Sequence, residues 1–506
     1  MKHFARSSLL VAFFFGIDKV LAFVRQTILA RQFGLSYELD VFNAANNVPD
    51  LLSALISGGA LGIALIPVLS EYMEQKGRKE AWDLFSRVIN LGFIVTGVIA
   101  VIVAIFAPYI IGNIIAPGFP AEQKALAVEL MRLDLIAIMI FSISGLVMAG
   151  LQANQHFLLP AIAPALYNIG QIFGAAVLAP ESGLNMGIHG LVYGVIIGAA
   201  LHLLVQAPGL ARYGYKWTPT LGLRSPGMRK VYSLLGPRVV TKFFVFIFFI
   251  VRDNLASSMG EGAVTALNMG WFIMQVPETL LGTAIAITLL PTVSELLAQG
   301  KKDEFAKTMN SAYRAMLALT IPAAVLLAAG LRPLVGGVFG YTAAETDLVV
   351  LATRIYLLGL IGHALLEISV RAFYAQQDAI TPLAAAALNA SWYIGLAFIL
   401  ANQIGFAGVA LANTIAFTSE ALLVMFLLRG RFRQVLNVGG TLIRVLLISA
   451  TVGLGIFILL RLPFFTNLST LMSVATAGAA MAVGLLIVAP FIWPEVKLLL
   501  QLGTRD

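Results

Sequence analysis

The residues with chemistry to offer are ionisable side chains set inside long apolar runs. Asp18, Lys19, Arg25 and Arg31 interrupt the first run, Asp40 opens the second, and Lys242, Arg252 and Asp253 lie together in a later one. Arg354, Glu367 and Arg371 share a further run, and Glu420 stands alone in another. At membrane depth such a group costs about 2.5–3.5 kcal/mol on insertion scales unless it is paired or wetted. Asp18 and Arg25 are seven residues apart and share a helix face. Guanidinium holds phosphate through paired hydrogen bonds, so Arg25 and Arg252, with Asp253 beside it, point to an amphiphilic, phosphate-bearing cargo. Arg31, Arg354 and Glu420 fit snorkelling or mutual neutralisation better.

Covalent chemistry has no equipment here. The sequence has no P-loop, no G-x-S-x-G and no H-E-x-x-H. It has no cysteine, which removes disulfides and thiolate metal sites, and its five histidines (3, 156, 189, 202 and 363) lack metal-ligand spacing. The chain reads as a non-enzyme without cofactor. Movement of a cargo would then draw on membrane potential, an ion gradient or the cargo's own downhill flow.

Long apolar helices must position these charges. Of 506 residues, 59% are apolar and 11% charged, against roughly 25% charged in a soluble domain. A spanning helix takes about 20 residues, so the fold class is an all-α polytopic membrane protein. The net charge of +8 lies in short loops, which fits membrane topology and anionic membrane lipids rather than nucleic acid. Apolar runs and their breakers give about 14 transmembrane helices. The first six are 9–33, 41–70, 88–113, 126–151, 159–179 and 187–208; the next six are 232–258, 264–297, 311–337, 347–374, 382–402 and 405–428; 441–461 and 468–492 follow. Asp18 and Lys19 break the signal-like apolar stretch near the N-terminus, so the first span is expected to remain uncleaved. Lys76, Arg78, Lys79, Arg212, Lys216, Lys301, Lys302, Arg429, Arg431, Arg433 and Arg505 gather in alternate loops and the tail, which places both termini in the cytoplasm.

An internal repeat organises these spans. Pro67-Val-Leu-Ser-Glu71 is echoed by Pro291-Thr-Val-Ser-Glu295, and Pro49-Asp-Leu-Leu52 by Pro277-Glu-Thr-Leu280. Leu151-Gln-Ala-Asn-Gln155 parallels Tyr374-Ala-Gln-Gln-Asp378, and Gly187-Ile-His-Gly190 parallels Gly405-Phe-Ala-Gly408. Spans one to six therefore repeat as seven to twelve, in parallel orientation because six is even. The expected domains are 1–215 and 216–435, each a six-helix bundle, and 436–506, an extra helix pair. Two such halves around a polar cavity suit a transporter; a duplicated receptor or scaffold would not need the charges in the spans that begin both halves.

These residues resemble the MurJ/MviN lipid II flippases of the multidrug/oligosaccharidyl-lipid/polysaccharide exporter superfamily. The resemblance rests on Val20-Leu-Ala-Phe-Val-Arg25, Ala30-Arg-Gln-Phe-Gly34, Asp40-Val-Phe42, Pro67 to Tyr72, Ala116-Pro-Gly-Phe119, Leu289-Leu-Pro291, and Phe373-Tyr-Ala-Gln-Gln-Asp378 with Thr381-Pro382. It implies fourteen helices, the last pair forming a groove for an undecaprenyl tail. It also implies alternating access that moves lipid II from the cytoplasmic to the outer leaflet of the bacterial cytoplasmic membrane, for peptidoglycan synthesis. By the same resemblance Arg25 is a cavity arginine, Asp40 an important acid, Lys19 stands where relatives often carry Arg, and Arg371 matches an arginine before the Phe-Tyr-Ala motif.

Departures from the pattern shape the expectation. Ser53 stands at a second cavity arginine, Gly58 at a nearby acid, and Trp271-Phe272 at an Asp-Arg pair. The usual Asp-Arg order of span seven is reversed as Arg252-Asp253. Asn389, Tyr393 and Asn413 match a sodium site of some members, making Asn389 and Asn413 weak metal candidates; a guanidinium at 252 argues against sodium coupling. The expected substrate-binding set is Arg25, Arg252, Lys19, Asp40, Asp253 and Arg371, and the expected partner is lipid II or a related polyprenyl-pyrophosphate glycolipid, bound by a monomer. A flippase for another polyprenyl-linked glycan is the near alternative. A cation-coupled small-molecule exporter would need Asp18, Asp40 or Asp253 as anchors, and a glycan polymerase would need a large outer loop that this chain lacks.

Overall fold

The structure, a computed structural model, describes residues 2–56, 60–432 and 434–502. Gly58, Arg433 and Arg505, named above, lie outside the described residues. In chain order the helices are α1 (Lys2–Phe33), α2 (Tyr37–Ile56), α3 (Ala60–Gln75), α4 (Gly77–Tyr109), α5 (Ala121–Ala153), α6 (Leu158–Phe173) and α7 (Ile188–Arg212). They continue as α8 (Pro226–Ala256), α9 (Ala263–Pro277), α10 (Ala284–Ala298), α11 (Lys302–Phe339), α12 (Ala343–Ala375), α13 (Ile380–Ile404) and α14 (Phe406–Arg431). Last come α15 (Gly439–Leu459), the short α16 (Pro463–Thr466) and α17 (Thr470–Leu502). Wider π-helical turns extend α4 (Ile110–Ile115) and α6 (Gly174–Leu178) and join α9 to α10 (Glu278–Thr283).

Every expected span coincides with a helix or a broken helix pair, and no strand occurs among the described residues. Twelve of the described helices are long and apolar enough to cross a membrane. The second span is divided between α2 and α3. Helix ends follow local chemistry. Ser225 caps α8 ahead of Pro226, and Thr342 with Glu345 closes a capping box at α12.

Two compact units emerge, Met1–Glu261 and Gly262–Asp506. In the first, α5 is the central helix, packed on α2, α3, α4 and α7, while α6 lies on α7 and α1. In the second, α12 holds the equivalent place against α9, α10, α11 and α14, with α13 on α14. The order of packing thus repeats as the sequence does. So do the turns: Gln155 after α5 and Gln377 after α12 both take φ 59°, and Gly187 and Gly405 take φ 55° and 60°. At ψ −139° and −134°, these last two positions lie where a Cβ is not tolerated, which fixes glycine there. The seventh span, α8, packs within the first unit, on α2 and α3.

Lipid is as apolar as leucine, so helix association in a membrane relies on close packing. The α6–α7 contact shows the device. A Cβ on Gly170 would fall 2.3 Å from the Gly198 Cα, and one on Gly174 would fall 2.5 Å from the Gly190 carbonyl oxygen. The extra pair α15 and α17 docks on α11 through a buried carboxylate. Glu495 Oε1 accepts from Arg314 Nη2 and Thr441 Oγ1, both at 2.9 Å, and Arg444 Nη2 reaches both Glu495 oxygens at 2.6 Å.

Candidate functional site

In the first unit the seven-residue spacing on α1 brings Asp18 and Arg25 to one residue of α6. Arg25 Nη1 donates to Asn168 Oδ1 and to Gln171 Oε1, each at 3.1 Å. Asn168 Nδ2 in turn donates to Asp18 Oδ1 at 2.8 Å. Asn168 and Gln171 are three apart on α6 and so present one face to α1. Arg25 Nε is buried without a hydrogen-bond partner, and so is Gln171 Nε2. The arginine is therefore oriented by amides while donor capacity remains. Amides hold a guanidinium without neutralising it, which leaves its charge for an anion.

Three side chains that sequence reasoning missed extend this network. Asp50 on α2 lies within electrostatic reach of Arg25, and Asp134 on α5 within reach of Asp50. Tyr167, adjacent to Asn168, senses Arg25, Asp50 and Asp134 together. Asp134 is buried, and its Oδ1 has no hydrogen-bond partner. An acid in the apolar run of α5 is a signal the sequence carried; the amides on α6 carried none, because Asn and Gln fit a polar helix face equally well. Behind the network, His202 Nδ1 on α7 pairs with Ser144 Oγ on α5 at 2.6 Å.

Lys19 is exposed, 3.5 Å from Asp18 and over the Phe15 ring at 4.8 Å. Asp40 is buried near the start of α2. Arg252 and Asp253 are both buried and bonded to each other, Nε to Oδ1 at 2.7 Å. Asn47 Nδ2 on α2 donates to the other Asp253 oxygen, also at 2.7 Å. The Arg252 guanidinium lies 5.2 Å from the Phe249 ring centre. Two neighbouring bonds secure this end of α8: Gly118 N–H donates to Ser257 Oγ at 3.0 Å, and Asn254 Nδ2 to the Ile114 carbonyl at 2.6 Å.

The second unit has its own polar features. Arg371 pairs with Glu367 at 3.0 Å, one turn away on α12, and both lie in electrostatic reach of Glu278. Asn389 on α13 donates to Glu420 on α14, and both are buried, as is Asn413. Trp271 packs against the rings of Tyr356, His363 and Phe417. Trp271 thus sits in an aromatic cluster.

Comparisons with known proteins agree with this architecture. The family model for lipid II flippase MurJ matches residues 29–485. The lipid II flippase MurJ of Burkholderia cenocepacia is 30% identical over 440 residues, covering 84% of each chain. A probable lipid II flippase MurJ of Thermotoga maritima is 26% identical over 458 residues, 90% of each. Among solved structures, a lipid II flippase MurJ in an inward closed conformation superposes with TM-score 0.78 at 22% identity, covering 95% of this chain and 99% of that one. An inward-facing multidrug resistance MATE family transporter of the MOP superfamily gives TM-score 0.71 at 15% identity, covering 83% and 95%.

Proposed function

The chain belongs to the lipid II flippase MurJ family, and from that premise we propose how its residues handle the lipid. It is a multi-pass membrane transporter, not an enzyme, and its cargo is lipid II. Lipid II is carried from the cytoplasmic to the outer leaflet of the bacterial cytoplasmic membrane by alternating access, with both chain termini cytoplasmic and a single copy of the chain as the working unit. The observation that carries this reading is Arg25, held by Asn168 and Gln171 with donor capacity left over. A guanidinium so oriented can take a pyrophosphate oxygen pair without first being freed from a carboxylate.

Arg252 plays a different part in this reading. Its partner Asp253 has one oxygen on Arg252 and the other on Asn47, so the pair fastens α8 to α2 as well as carrying charge. Pyrophosphate capture by Arg252 would require that pair to open. The same occupation of both Asp253 oxygens argues against a sodium ion there. Coupling to membrane potential or to another ion gradient remains part of the proposal.

Complementation of a bacterium depleted of its own lipid II flippase, with outer-leaflet accessibility of lipid II as the readout, tests the function. Rescue by the wild-type chain and loss of rescue by Arg25→Ala at equal membrane level is the expected result. A well-inserted wild-type chain that leaves lipid II inaccessible would overturn it. The cargo would then be sought among other polyprenyl-linked glycans, which the aromatic cluster around Trp271 would favour as a surface for sugar rings.

A further inference from the structure

The second unit has a half-open cavity of about 650 Å³ where α11, α12, α15 and α17 meet. It lies at the end of α11 opposite the lysines that begin that helix, and α15 likewise reaches it from the arginine-bearing end of α14. Basic residues mark the cytoplasmic side, so the cavity opens at the outer leaflet. Positive charge is scarce there in membrane proteins, yet Arg332, Arg354 and Arg461 all line this one space, with Asp347 as the only carboxylate among the lining residues.

The charges do not cancel. Arg332 is matched by Asp347, its Nε and Nη2 donating at 2.7 and 3.4 Å. Arg354 gives its Nε–H to the Ala328 carbonyl at 3.0 Å, a bond that leaves the charge unneutralised. Arg461 has no carboxylate partner among the described residues. Both of these guanidinium groups lie on one ring, Phe457, at 5.3 and 4.1 Å from its centre. Arg354 lies within electrostatic reach of Arg332 and Arg461 and of the one carboxylate, Asp347, so three guanidinium groups share a single acid. Like charges gathered on one aromatic face repel, and an anion between them removes the repulsion.

Another unspent group points to the same ligand. The Tyr341 side chain lines the cavity and is only 7% exposed, and its hydroxyl has no hydrogen-bond partner. A buried hydroxyl without a partner is costly unless something in the cavity completes it. Apolar side chains share the lining with these polar groups, among them Leu460, Phe465 and Leu468. A charged pocket with apolar walls suits an amphiphile better than a soluble anion.

We propose that this cavity binds the phosphate of a net-anionic membrane lipid of the outer leaflet, with Arg354, Arg461 and Tyr341 as donors. The chemistry is shared by a resident anionic phospholipid and by a polyprenyl pyrophosphate, and the experiment separates them. Purified full chain in neutral detergent, in an Arg25→Ala background, is titrated with phosphatidylglycerol, undecaprenyl pyrophosphate or phosphatidylcholine, and bound lipid is read by native mass spectrometry. Saturable binding of at least one anionic lipid is expected. It should weaken at least tenfold in Arg354→Gln/Arg461→Gln and severalfold in Tyr341→Phe. Arg461→Gln alone changes an exposed side chain at a helix end, so it reports even if the double variant folds poorly. Preference for phosphatidylglycerol assigns the site to a resident lipid, and preference for the pyrophosphate assigns it to the cargo class. Unchanged affinity in the folded variants, or phosphatidylcholine binding as well as either anionic lipid, would overturn the proposal.

Discussion

Asn47 on α2 donates from Nδ2 to Asp253 Oδ2 on α8 at 2.7 Å, across 206 residues of sequence. That bond completes a buried carboxylate whose other oxygen already accepts from Arg252. An ion pair in this setting fastens two helices, and removing half of it exposes the remaining charge to a medium that cannot solvate it.

Asp253→Ala is accordingly expected to destabilise the folded chain by about 3–5 kcal/mol, because Arg252 would be left buried and unpaired. Thermal unfolding in detergent should show the loss. The double variant Arg252→Leu/Asp253→Leu should recover most of it, since no buried charge remains. Equal destabilisation by the single and double variants would show that the pair is not what holds this end of α8.

Arg25→Ala should lower lipid II transport at least tenfold: tenfold corresponds to about 1.4 kcal/mol, just under the roughly 1.5–3 kcal/mol of one charged hydrogen bond. Arg25→Lys should restore part of it only, because an ammonium cannot hold a phosphate through two parallel bonds. Asn168→Ala frees the guanidinium to swing and should reduce transport less. Transport per inserted molecule in depleted cells measures all three, and full activity of Arg25→Ala would remove the residue from the site.

The glycine seam between α6 and α7 gives a stability prediction. Gly170→Val places atoms where the Gly198 backbone already lies, 2.3 Å from the new Cβ. The helices must part, at a cost of about 1–3 kcal/mol or more. Because α6 carries Asn168 and Gln171, the shift should also weaken transport, and a lower unfolding temperature together with reduced transport is the expected pair of results. Gly16→Ala, a substitution that meets no atom within 4 Å, serves as the control.

A pH dependence resides in the loop after α12. The Asp378 carboxyl is pulled down to about 2 by the Thr381 backbone N–H and hydroxyl, with the Arg431 guanidinium adding to them. Its unfolded counterpart titrates near 3.9. A depressed carboxylate stabilises the fold above the unfolded value, and that contribution fades as pH falls from about 4 to about 2. Asp378→Asn should therefore lower stability at neutral pH and flatten the acid limb. Unfolding midpoints measured from pH 7 down to 3 would test this, and parallel curves for the two proteins would refute it.

Much of this protein could be read before any coordinates. Gly187 and Gly405 recur at matched places because the repeat is written in turn chemistry, and turns depend on a few local residues. Asp18 and Arg25 were legible because seven residues on a helix is a rule of geometry. Arg25's amide partners were not, since nothing in Asn168 or Gln171 distinguishes a cavity wall from any other polar patch. Arg252 was legible as a charge at depth; its bonding to Asp253 and Asn47 was not, because that depends on which helix α8 meets.

The sequence by itself determined that this chain is a bundle of apolar helices, that six of them are repeated, and which charges lie within the spans. Those properties follow from local rules: hydropathy over about 20 residues, helical periodicity and the backbone demands of turns. Tertiary structure decided which charges are spent on one another and which keep donors to offer. Asp253 is closed by residues from two helices, whereas Arg25 is steadied by neutral amides, and Arg354 and Arg461 meet on one ring from helices that are distant in sequence. Pairing depends on distance in space, and in a membrane protein helix packing alone sets that distance.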